Sequence, residues 1–129
     1  MIETRRPAYM DGKPKGLLID GQSVPALSGA TFQSFSPSTG ELVAELALAD
    51  AQDVDRAVRA ARAAFDGPWS RFKPAERQAV LLRLADLVDA EFDDLALLDC
   101  IEMGRPITAA RGLRGMLQRS LRHFAGTAT

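Results

Sequence analysis

The sequence predicts an α/β segment in which short β-strands and a hairpin are followed by about four α-helices. Three observations carry this. Hydrophobic residues alternate with period two as far as Leu48, and the period changes to about 3.6 after Ala49. Glycine and proline pairs punctuate the chain where those periods break.

The first fifteen residues, MIETRRPAYMDGKPK, mix charge with two prolines and show no period, so 1–15 reads as a flexible arm. From Gly16 the pattern is β-like. Leu17, Leu18 and Ile19 form an apolar run, and Asp20-Gly21 is a tight-turn pair. A returning strand over Val24 to Leu27 is confined to an edge, because Pro25 has no N–H to donate. Thr31 to Phe35 alternates, and Pro37-Ser38-Thr39-Gly40 is a turn: Pro presets φ and Gly accepts positive values. Leu42, Ala44, Leu46 and Leu48 then share one face of a half-buried strand.

Asp50 is placed to cap a helix, with Asp53 in its first turn where negative charge suits the dipole. Val54, Ala57, Val58, Ala61 and Phe65 are its expected core stripe, and Gly67-Pro68 ends it. Trp69 in the following linker reads as a packing anchor. A second helix is expected from Pro74 to about Val88, and a third from about Ala90 to Met103. Gly104 suits a left-handed cap, and Pro106 blocks continuation. A fourth helix is expected from Ile107 to Phe124, weakened by Gly112 and Gly115.

Composition narrows the function classes. Sixteen Lys+Arg against seventeen Asp+Glu give a net charge of −1, which favours neither nucleic acid nor an anionic membrane as partner. No apolar run approaches the roughly 20 residues of a membrane span. Residues 1–15 lack the apolar core of a secretory signal. With one Cys and one His, neither a disulfide framework nor a zinc cage can be built. A soluble chain in the cytoplasm is the expectation.

The residue types that carry chemistry are sparse. Neither G-x-G-x-x-G nor G-x-x-x-x-G-K-S/T occurs, so no nucleotide cradle is recognisable. Cys100 lies late in a helix beside Asp99 and near Glu102, where negative charge disfavours a thiolate, so it reads as structural. His123 has no nearby thiol or hydroxyl suited to partner it. Glu91, Asp93 and Asp94 favour a helix start by their charge. Arg105, Arg111, Arg114, Arg119 and Arg122 fall in a stretch without acids, either a solvated helix face or an anion-binding one. The residues alone describe a segment without an active site.

In order, however, the motifs resemble the N-terminal portion of the aldehyde dehydrogenase superfamily. Leu18-Ile19-Asp20-Gly21 is similar to its opening F-I-N/D-G strand, and Ser36-Pro37-Ser38-Thr39-Gly40-Glu41 to its N-P-S-T-G-E turn. Asp53 to Phe65 resembles its D-V-D-K/R-A-V helix with the following A-A-R-A-A-F. Trp69 and Arg71 stand as in W-x-R, and Arg77 to Asp86 ends in the family's L-A-D. Glu102-Met103-Gly104-Arg105-Pro106 looks like D/E-x-G-K/R-P, and Phe124-Ala125-Gly126 like Y/F-A-G. The match covers 17–126. Ser36 departs from the family's Asn, though Ser makes similar side-chain bonds to backbone. The stretch Arg111–Arg122 is arginine-rich where relatives often carry Asp.

The resemblance implies a partial N-terminal domain over 16–129, on the cofactor-binding side and ending before the nucleotide-binding loop and the catalytic domain. It implies NAD- or NADP-dependent oxidation of a small aldehyde to a carboxylic acid in a complete, homo-oligomeric enzyme. The family's catalytic Cys, general-base Glu and oxyanion Asn lie in its later sequence. No catalytic residue, and no bound cofactor, is therefore expected of this stretch alone. Cys100 falls where relatives often have Thr. Three further expectations follow from the resemblance. The backbone carbonyls of Ser34 and Phe35, with Glu102, match a monovalent cation site, the alternative for Glu102 being a solvated helix-end acid. Met116 and Leu117 match a helix beside the substrate tunnel. Pro74-Ala75-Glu76-Arg77, Leu95-Ala96-Leu97-Leu98-Asp99 and Met103-Gly104-Arg105-Pro106-Ile107 resemble broad-specificity bacterial enzymes acting on amino- or γ-glutamylamino-aldehydes. The competing interpretation is a non-catalytic interaction or assembly module of the same ancestry.

Overall fold

The computed structural model describes residues 6–128, and residues 1–5 of the expected arm lie outside that range. The chain forms two compact units, Met10–Arg71 and one made of residues 6–9 with 72–128.

The first unit begins with an antiparallel hairpin of β1 (Leu17–Ile19) and β2 (Gln22–Val24), with Ile19 opposite Gln22. Asp20 (φ 52°) and Gly21 (φ 72°) both take positive φ, which matches the turn to the twist of the strands. The second strand stops at Val24 instead of running to Leu27. Pro25 cannot donate the next ladder bond, and residues 26–29 turn back, the Gly29 N–H donating to the Ala26 carbonyl at 2.9 Å.

A second antiparallel pair follows, β3 (Thr31–Phe35) with β4 (Leu42–Ala47). Phe32 faces Leu46 and Ser34 faces Ala44, but Phe35 faces Leu42, so Val43 is an extra residue and bulges the ladder. The intervening turn closes through backbone: the Gly40 N–H donates to the Ser36 carbonyl at 2.8 Å, and Ser36 N–H to Glu41 at 2.9 Å. The other edge of β4 is also paired. Lys15 donates to the Glu45 carbonyl and accepts from the Ala47 N–H, both at 2.8 Å. This places the last residue of the stretch read as an arm in the sheet.

Helix α1 (Ala51–Asp66) starts with a reciprocal cap: Asp50 accepts from the Gln52 and Asp53 N–H groups, and Asp53 accepts from the Asp50 N–H. Its packing differs from the expected stripe. Asp53 is buried and Ala57 and Ala60 are half-buried, whereas Val54, Val58 and Phe65 are 56%, 59% and 59% exposed. Alanines admit the close approach of β1, and Leu18, Ile19, Ala57, Ala60 and Ala64 line a shallow cleft there. The bulkier neighbouring stripe is left without cover among the described residues. A 3₁₀ turn (Pro68–Arg71) carrying Trp69 closes the unit.

The second unit is helical. Helix α2 (Pro74–Ala90) has Pro in its first turn, where a missing N–H costs nothing, and the Lys73 N–H donates to Glu76 Oε2 at 2.6 Å. Helix α3 (Phe92–Met103) ends at Gly104 with φ 70°, a left-handed cap whose N–H donates to the Cys100 carbonyl at 3.0 Å. The single helix expected over Ile107–Phe124 is two, α4 (Ile107–Gly112) and α5 (Arg114–Thr127). At the junction the Leu113 N–H bonds tightly back to Ala110, a step that Gly112 permits because it lacks a side chain to hold the helix.

The core of this unit is Phe92, Ala96 and Ala110, with Val88, Leu113 and Leu117 packed on it. Ala85 and Ala125 are fully buried. Across α2 and α5, Gln118 Nε2 donates to the Ala85 carbonyl at 2.8 Å. Arg114 Nε and Arg122 donate to Asp89 and Asp86 at 2.8 and 2.7 Å.

Candidate functional site

The three residues expected to hold a cation are divided between the units: Ser34 and Phe35 on β3, Glu102 on α3. Residues 44 and 46 of β4 turn their backbones toward β3, since 45 and 47 are taken by Lys15. By the alternation of the ladder, the Ser34 carbonyl faces β4 and the Phe35 backbone faces the free edge. The bulge lies between Ser34 and Phe35 and locally reaims this stretch. Glu102 is exposed in the last turn of α3, two residues before the Gly104 cap. Carbonyls there carry the partial negative charge of a helix end. Oxygen donors of this kind suit hard monovalent cations.

Met116 and Leu117 have different surroundings. Leu117 packs on the Phe92–Ala96–Ala110 core, whereas Met116 is 53% exposed on α5. Of the two, Met116 has the free surface to meet a ligand.

The remaining chemistry-bearing side chains are not gathered into a reactive constellation. Cys100 is a half-buried free thiol on α3. His123 is exposed and packs edge-on to Phe124, their ring centroids 5.5 Å apart. No cluster of three His, Cys, Asp or Glu that could hold a metal occurs among the described residues. Three of the arginines near the C-terminus are engaged by acids. Arg105 pairs with Asp99 at 3.0 Å, and Arg114 and Arg122 with α2. Arg114 also lies over the Phe92 ring at 5.7 Å. Its hydrogen bond to Asp89 holds that carboxyl below the ordinary value of 3.8, with desolvation opposing and the charges of Arg114 and Arg122 assisting. Arg111, Arg114, Arg119 and Arg122 are all exposed, as a solvated helix face requires, and two of them, Arg114 and Arg122, also tie α5 to α2.

Asp53, in the first turn of α1, is a buried acid. Both its oxygens accept from the Leu27 N–H at 3.2 Å, and Oδ1 accepts from Arg56 at 3.1 Å. It joins the turn after β2 to the start of α1, and its donors satisfy its charge. A cap at Asp50 and an acid in the first turn at Asp53 were visible in sequence; the reciprocal bond and Leu27, 26 residues away, were not.

The residues present offer no glycine-rich strand-to-helix loop. The cleft lined by Lys15, Val24, Ala26, Thr31 and Ala47 is about 250 Å³, and the one between β1 and α1 about 320 Å³. No helix among the described residues is long and apolar enough to cross a membrane.

Residues 24–129 match the model of the aldehyde dehydrogenase family. Benzaldehyde dehydrogenase, mitochondrial, of Antirrhinum majus is 45% identical over 114 residues, 87% of this chain and 21% of that protein. Aminoacetaldehyde dehydrogenase of Pseudomonas aeruginosa is 47% identical over 95 residues, 73% of this chain and 19% of that protein. Among solved structures, an NAD-dependent aldehyde dehydrogenase from Sinorhizobium meliloti superposes with a TM-score of 0.85 at 40% identity. The superposition covers 96% of this chain and 25% of that one. The chain therefore spans about a fifth to a quarter of the length of the proteins it matches.

Proposed function

From the premise that this chain belongs to the aldehyde dehydrogenase family, we propose that it serves as scaffold in an NAD(P)-dependent enzyme that oxidises an aldehyde to a carboxylic acid. Its fold is the α/β N-terminal part of the aldehyde dehydrogenase fold. The observation that carries the proposal is the superposition of nearly the whole chain on an NAD-dependent member at 40% identity. The exposed stripe of Val54, Val58 and Phe65 supports it, since a scaffold helix needs a surface to cover such a stripe.

In this reading the catalytic thiolate, the general base and the cofactor loop belong to other parts of the complete enzyme, and the isolated chain is inactive. Its own residues position and support. The Phe35 and Ser34 carbonyls with Glu102 hold Na⁺ or K⁺, and Met116 stands at the substrate tunnel with Leu117 anchoring its helix. The substrate class is an amino- or γ-glutamylamino-aldehyde, in keeping with the likeness to aminoacetaldehyde dehydrogenase. The enzyme is a homo-oligomer of the cytoplasm, where a lone free thiol such as Cys100 stays reduced.

The test begins with the reading frame beyond the codon for Thr129. A frame continuing into a glycine-rich loop and a catalytic Cys is expected. The full product is then assayed with a panel of aldehydes, and aminoaldehydes should give the highest kcat/KM. A preference for aromatic aldehydes would overturn the substrate class. A stop codon after Thr129, with a stable protein that reduces no cofactor, would replace the scaffold reading by the assembly module.

A further inference from the structure

We draw no further inference here: the strongest candidate, the exposed apolar face of α1 carrying Val54, Val58 and Phe65, is an unpartnered helix face, and nothing in the structure shows what covers it.

Discussion

Replacing Asp53 by alanine should release the turn at 26–29 from the start of α1. Three interactions end together. The Leu27 N–H loses both carboxylate oxygens at 3.2 Å, the Asp50 N–H loses the longer bond at 3.4 Å, and Arg56 loses its partner at 3.1 Å. A part-buried amide left without an acceptor costs about 1–3 kcal/mol. Losing an acid from the first turn of a helix costs roughly 0.3–1 kcal/mol more. Arg56 is 34% exposed and can turn to water, so its loss adds little. The sum, about 1–4 kcal/mol, should appear as a fall of roughly 10- to 900-fold in amide hydrogen-exchange protection at Leu27 and in the first turn of α1. Asp53→Asn, which keeps one acceptor oxygen, should lose less. Asp55→Ala removes an exposed pair with Arg59 and should change protection by less than about threefold. Unchanged protection at Leu27 in Asp53→Ala would refute the clamp.

Three further outcomes are expected. Because Asp89 titrates below its ordinary value of 3.8 in the folded chain, the stability it lends is complete above that value and is lost as pH falls through the lower folded value. Helix signal from α2 and α5 followed on acid titration should fall in that window, and Arg114→Ala should remove this dependence; an identical acid transition in the variant would exclude the pair. Val58→Glu, at a position 59% exposed, should reduce self-association of the isolated chain while leaving its helix content intact, as read by sedimentation and circular dichroism. Loss of helix content would place Val58 in the core of its own unit. In the complete enzyme, Glu102→Ala should diminish stabilisation against heat by K⁺, and an unaltered K⁺ response would remove Glu102 from the cation site.

What could be read in the sequence is local, and what could not is tertiary. Asp20-Gly21, the Asp50 cap and Gly104 each demand a particular backbone within a few residues, and each takes the expected form. Pro25 marked β2 as an edge strand, but the turn at 26–29 that shortened it depends on the distant Asp53. The periodicity of α1 identified an apolar stripe correctly as a pattern. It could not say that the packed side would be the alanine edge one step around the helix. Nor could it reveal that Asp86 and Asp89, one turn apart on α2, meet Arg122 and Arg114 on an antiparallel neighbour. The split of the last helix was hinted by Gly112, yet its position at Leu113 depends on packing against Phe92 and Ala96. The family was legible because many weak motifs kept their order, whereas no single motif among them carries a reactive group.

Absorbance of the reduced nicotinamide tests the scaffold claim most directly. The purified chain and the product of the complete reading frame are each given NAD or NADP with the same aldehydes. The complete product should reduce cofactor in an aldehyde-dependent manner, and the chain alone should not. Reduction by the chain alone, abolished by Cys100→Ser, would contradict the account by making Cys100 a nucleophile within these 129 residues.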